Sequence, residues 1–160
     1  MSTRAVGGAV LSAARVALGI LWVNEAVVKL HAGFGAADIA LVVDAAAHKS
    51  RIPEAFMLFA DTVMRPLAPL FGAGVPLWEL ALGALLIAGV VTLPAAALSS
   101  ATLLLYWSSD QLTPVYPLMG ALGLVVLLWP ALARRFGLTK LLCPRMPWAP
   151  ARRFGAARWS

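Results

Sequence analysis

Cysteine is nearly absent from this 160-residue chain: Cys143 stands alone, so no intrachain disulfide, Cys-x-x-Cys relay or cysteine zinc cage can form. Histidine is almost as scarce. His31 and His48 share one polar segment, whereas a bis-imidazole haem needs histidines on facing helices, so neither haem nor a metal site is expected. Charge is scarce too: 12% of residues are ionic, against about a quarter in ordinary soluble chains. Twenty charged side chains cannot cover a soluble bundle of this length. No glycine-rich phosphate loop, nucleophile triad or pair of catalytic acids on a soluble domain is visible. Any electron source would have to come from another protein.

Apolar residues make up 61% of the chain, with a mean hydropathy of +0.85, which excludes disorder and calls for lipid as the missing apolar solvent. The net charge of +6 suggests nucleic acid, but its distribution argues against it. All seven acids lie between Glu25 and Asp110, while seven of the thirteen bases lie at or beyond Arg134. The tail in which they sit is broken by Pro144, Pro147 and Pro150 and offers no recognition element. Its bases, including Arg134, Arg135, Arg152 and Arg153, suit anionic headgroups or a cytoplasmic partner. Cys143, just past the last apolar run, reads as an inert or occasionally acylated thiol.

A bilayer core of about 30 Å needs roughly 20 apolar helical residues. The chain offers four such windows, at about 7–30, 74–91, 94–107 and 114–133. The middle two come from Leu80–Ser109, an uncharged run of 30 residues whose helix would be about 45 Å long, too long for one crossing. Thr92-Leu93-Pro94 is the expected break, because proline tends to end a helix before itself. Arg4 with Ser12-Ala13-Ala14 has the outline of a cleavable leader, but Arg15 and the continuing apolar helix favour an uncleaved anchor. The fold predicted is all-α: an integral membrane four-helix bundle over 1–136 with a basic cytoplasmic tail over 137–160. Lys and Arg at the chain ends place both termini in the cytoplasm. The segment 31–71 then lies outside and carries two short amphipathic helices. One covers 37–47. The other opens at Pro53-Glu54 with Phe56, Phe59, Ala60 and Val63 on one face and Asp61 and Arg65 as an exposed pair. The two form a lid or a packing collar.

Ionisable groups inside a span are costly unless paired or wet, so they mark candidate sites. Trp22, Glu25 and Lys29 share one face of the first span, and Glu79 stands beside Trp78 on the second, with Gly83 one turn on to admit a neighbouring helix. Tyr106 and Trp107 end the third span at the same level. A pocket walled by Trp22, Trp78, Tyr106 and Trp107, with Glu79, Glu25 and Lys29 as proton-handling groups, suits a quinone. The plainer reading has Glu25 and Lys29 neutralising each other and Glu79 bonding a neighbouring helix, while aromatic residues gather at membrane interfaces in any case.

Arg15-Val16-Ala17-Leu18-Gly19-Ile20-Leu21-Trp22 running on to Lys29-Leu30, together with Glu79-Leu80-Ala81-Leu82-Gly83-Ala84-Leu85-Leu86-Ile87-Ala88-Gly89, resembles the DoxX/DoxD family of small bacterial membrane proteins. The resemblance spans about residues 12–133 and implies a four-helix bundle in the bacterial cytoplasmic membrane. Some family members are small subunits of thiosulfate:quinone oxidoreductase, and others are linked to thiol and oxidative-stress systems. Arg15, Lys29 and Glu79 fall on positions of the family pattern; Glu25-Ala26 occupies the place where that pattern has a small residue before its lysine. The implied role is a quinone-linked subunit of a membrane oxidoreductase complex. A non-catalytic accessory subunit of a larger respiratory or redox complex is the alternative, and a small-solute transporter fits less well because there is no internal repeat.

Overall fold

A computed structural model describes residues 3–111 and 113–138. Of the proposed cytoplasmic tail, 137–160, the part from residue 139 onward, with Cys143, Arg152 and Arg153, lies outside the described residues. Every regular element among them is helical: α1 (Thr3–His31), α2 (Ala36–His48), α3 (Glu54–Phe59) running into a wide π turn (Ala60–Met64), α4 (Ala68–Ala88), α5 (Thr92–Ser108), α6 (Tyr116–Leu128) and α7 (Pro130–Ala133). Two of these, over Ala5–His31 and Ala68–Ala88, are long and apolar enough to cross a membrane.

The four longest-packed helices close a ring in the order α1, α4, α5, α6, each touching the next and α6 touching α1. Neighbours run antiparallel. Lys29 meets Glu79 while Arg15 meets Leu86 and Ile87, so α1 and α4 point in opposite directions. Their backbones meet at two glycines: a Cβ on Gly83 would lie 2.8 Å from the Gly19 carbonyl oxygen, and one on Gly19 would lie 2.9 Å from that of Gly83. The core between the helices is Leu18, Trp22, Leu82, Leu86, Ala95, Ala96, Met119 and Val126.

Several boundaries differ from the sequence expectation. The break in the long apolar run falls at 89–91 and not at Thr92-Leu93-Pro94. Gly89 adopts φ 68° and caps α4, and α5 already begins at Thr92. Pro94 is its third residue, where the missing N–H would have had no intrahelical acceptor. The other cause is Arg15, whose guanidinium donates to the carbonyls of Leu86 and Ile87, while Leu138 N–H reaches Ala88 C=O at 2.8 Å. The exposed carbonyls at the end of α4 are thereby satisfied. Arg15 also donates to Ala133 C=O at 3.0 Å, tying α7 to the same knot.

Helix α4 begins at Ala68, earlier than the expected 74, because Pro69 starts it in its first turn and Pro76 is accommodated inside. The expected continuous run 114–133 is broken at Trp129, which leaves helical geometry (φ −129°, ψ 55°) before Pro130.

The segment between α1 and α4 folds as a cap with its own core: Ile39, Val43, Ala46, Ile52, Phe56, Ala60, Met64 and Ala68. Its helices match the expected 37–47 and the start after Pro53. The buried face of the second differs, because the π turn adds a residue per turn. Arg65 N–H bonds Ala60 C=O at 2.9 Å, and the inward position moves from Val63 to Met64.

Candidate functional site

Where α1 ends decides where its lysine stands. Gly33 takes φ 70° and Phe34 N–H turns back to Lys29 C=O at 2.9 Å, stopping the helix one turn beyond Lys29. The Lys29 ammonium therefore sits at the inner edge of the cap, facing the middle of α4. It lies 2.6 Å from Glu79 Oε1 and 3.3 Å from Glu25 Oε2. Helical spacing from 25 to 29 makes the second contact; the antiparallel crossing at Gly19 and Gly83 sets up the first.

Both tyrosines of the chain join this group. Tyr106, near the end of α5, donates its hydroxyl to Glu79 Oε1 at 2.6 Å. Tyr116, the first residue of α6, donates to Glu25 Oε2 at 3.2 Å. Their rings lie 5.6 Å apart, and the Lys29 ammonium is 5.4 Å from the centroid of Tyr106. Four helices thus each contribute to one cluster of two carboxylates, two phenols and an ammonium. Glu79 is completely buried, and its Oε2 has no hydrogen-bond partner among the described residues.

Beside the cluster, under the cap, is a cavity of about 390 Å³. Its walls are overwhelmingly apolar, with Phe34, Phe56, Phe59 and Phe71 among them, and Lys29, Tyr106 and Tyr116 reach its surface. The carboxylates do not line it. They stand behind the lysine and the phenols, which are the groups a bound molecule meets first. Two of the three ammonium donors are engaged by the acids, leaving one for an acceptor in the cavity.

The aromatic residues expected around the site separate. Trp78 lines the cavity and donates its indole N–H to Thr102 Oγ1 at 2.9 Å. Trp22 lies beneath it in the bundle core, bonded across the ring to Ser99 Oγ at 2.7 Å and 6.2 Å from Tyr106. Trp107 faces outward, 67% exposed, away from the cluster. Arg134 and Arg135 follow α7 at the opposite end of the bundle, where the Arg135 side chain packs against Gly8.

Two contributors were not foreseen. Tyr116 belongs to a segment of generic apolar pattern, and Ser99 to one of small residues; only the scarcity of tyrosine could have drawn attention to the first. An exposed latch is the other addition: Lys49 and Arg51, between α2 and α3, pair with Asp110 after α5 at 2.8 and 3.7 Å. Asp110 takes φ 58° there. The Lys49 hydrogen bond, then the charges of Lys49 and Arg51, hold its carboxyl below the ordinary value of 3.8.

Comparison with protein-family models, with curated proteins and with solved structures finds no match for this chain.

Proposed function

We propose that this chain is a quinone-linked helical subunit of a bacterial membrane oxidoreductase complex, of the kind its DoxX/DoxD-like segments imply. The observation that carries the reading is the Lys29 ammonium, held between two carboxylates and two phenols at the polar wall of an otherwise apolar cavity. The donor set fits a quinone: aromatic walls accept a flat ring, and an ammonium with one free donor meets a carbonyl oxygen. A bound quinone would supply two-electron chemistry coupled to proton uptake. Lys29 would orient a carbonyl oxygen and hold a proton at Nζ beside it, while Glu79 and Glu25, which accept from the ammonium, would keep the lysine charged and in place. Tyr106 keeps Glu79 Oε1 in place, and Glu25 with Tyr116 links Lys29 to the more exposed rim. Trp78 forms part of the wall, and electrons arrive from a partner subunit.

In this reading α1 and α4 cross the cytoplasmic membrane together with α5 and the α6–α7 pair. Helix α5 is about 26 Å long and residues 116–133 cover about 27 Å, close to the ~30 Å hydrocarbon core. The cap lies outside and both termini inside, with Arg134, Arg135, Arg152 and Arg153 meeting headgroups or a cytoplasmic subunit.

A second reading, a non-catalytic accessory subunit, draws on a specific feature: the bonds of Glu79 to Lys29 and Tyr106, and of Glu25 to Tyr116, each join different helices, as a structural cross-link does. Mass spectrometry of the protein gently extracted from its native membrane separates the two. The expected result is bound quinone together with a cofactor-bearing partner. Recovery in a large complex without quinone overturns the redox reading in favour of the accessory one.

A further inference from the structure

The cavity has two directions of access, and the side chains on its walls distinguish them. Toward the outer end it meets the cap, which is held down by Lys49 and Arg51 on Asp110; Gln111 is the one exposed polar side chain on that part of the wall. Toward the side of the bundle the wall includes Leu70 and Trp78 of α4 and Leu105 of α5, which are 65%, 43% and 44% exposed. Residues that both line a cavity and face the surroundings mark its rim. These three belong to adjacent helices, and α4 and α5 touch each other least among the neighbouring pairs of the ring. Outside the rim the surface stays apolar: Leu67, Leu77, Leu98, Leu104 and Trp107 are all exposed. In the proposed membrane setting, a window so framed would open onto hydrocarbon.

The bond from Trp78 to Thr102 crosses the α4–α5 seam, and both residues line the cavity, so this pair is the sill of the window. At about 390 Å³ the cavity is near the small end of the usual roughly 300–1,000 Å³ for ligand pockets. It houses a ring head group, while a long tail must leave it. We infer that the ligand is a lipid-dissolved amphiphile that enters sideways through the α4–α5 window, its polar head against Lys29 and its tail running out between Leu70 and Leu105 over the Trp78–Thr102 sill. This rests on the proposed quinone reading and adds the path, the tail and the residues that select for it.

The probe is a benzoquinone carrying a photoreactive diazirine on an alkyl tail, added to the full chain in phospholipid nanodiscs, with labelled residues mapped by mass spectrometry. A tail-less benzoquinone in excess serves as competitor. The expected result is competed labelling concentrated on residues 67–78 and 98–107. Competed labelling confined to the cap, 36–64, or to Gln111 overturns the lateral window while leaving the head-group site standing. Labelling that the tail-less compound does not reduce overturns the quinone reading itself. The wild-type protein is used throughout, so no outcome depends on a variant folding.

Discussion

A buried carboxylate survives only with its partners, and Glu79 has two, Lys29 and Tyr106. Lys29→Met would strand that charge, and breaking one side of a buried pair costs about 3 kcal/mol or more. The expected outcome is a large loss of thermal stability in detergent for Lys29→Met and recovery of most of it in Lys29→Met/Glu79→Leu, where Glu25 still has its Tyr116 bond. Equal losses in single and double variants would show that the pair is not the reason. Tyr116→Phe removes one hydrogen bond to a partly exposed acid and should cost only about 1 kcal/mol, measured the same way. At this scale the acids and the lysine were legible because charge inside an apolar run is conspicuous. The pairing of Lys29 with Glu79 rather than with Glu25 alone was not, since it depends on the helix crossing at Gly19 and Gly83. Trp107 shows the converse: it sits one residue from Tyr106, and that 100° step on a helix turns it outward.

Helices here are placed by backbone contact and by capping more than by amphipathic pattern. Gly83→Ala would press a methyl group onto the Gly19 carbonyl, and the overpacking should cost about 1–3 kcal/mol and move Glu79 away from Lys29. Gly120→Ala is the matched control: a Cβ there meets nothing within 4 Å, so the helix propensity of alanine should stabilise α6 by about 0.5–1 kcal/mol. Chemical denaturation of both variants decides whether the crossing is as tight as described. The existence of the helices was readable from apolar runs and from Pro53-Glu54, but the turn at 89–91 was not. Its position depends on Arg15 reaching carbonyls over seventy residues away in sequence, which no local signal reveals. The π turn escaped for a related reason, since Phe56, Phe59, Ala60 and Val63 fit a regular helix as written. The cap latch has a pH dependence of definite sign. Asp110's carboxyl is lowered in the folded state, so its contribution is fully present above the ordinary value of 3.8 and is lost as pH falls through the lowered one. Backbone hydrogen exchange over 49–52, corrected for intrinsic rate, should show unchanged protection down to the ordinary value of 3.8 and loosening only as the pH is lowered below it; protection that never falls with acid would remove Asp110 from the role.

Across the whole molecule the acids are gathered toward one end of the bundle axis. All seven acids sit in the cap, the cluster beneath it or the turn after α5, whereas Arg15, Arg134 and Arg135 gather at the other end. The proposed orientation puts Arg134 and Arg135 on the inner side, as the positive-inside tendency favours. In intact cells, an impermeant thiol reagent should leave the native Cys143 unlabelled and should label a cysteine placed at the exposed Leu41 of the cap in a Cys143→Ser background. The reverse pattern would invert the orientation. The proposed quinone site requires that the Lys29 cluster hold a carbonyl head group in the cavity it borders. Its most direct test is the titration of a tail-less benzoquinone into the full chain in nanodiscs, followed by quenching of tryptophan fluorescence, for the wild type and for Lys29→Met/Glu79→Leu. Saturable quenching in the wild type, with affinity at least about tenfold weaker in the variant, is the expected result, a loss of about 1.4 kcal/mol. Equal affinity in a folded variant would contradict it.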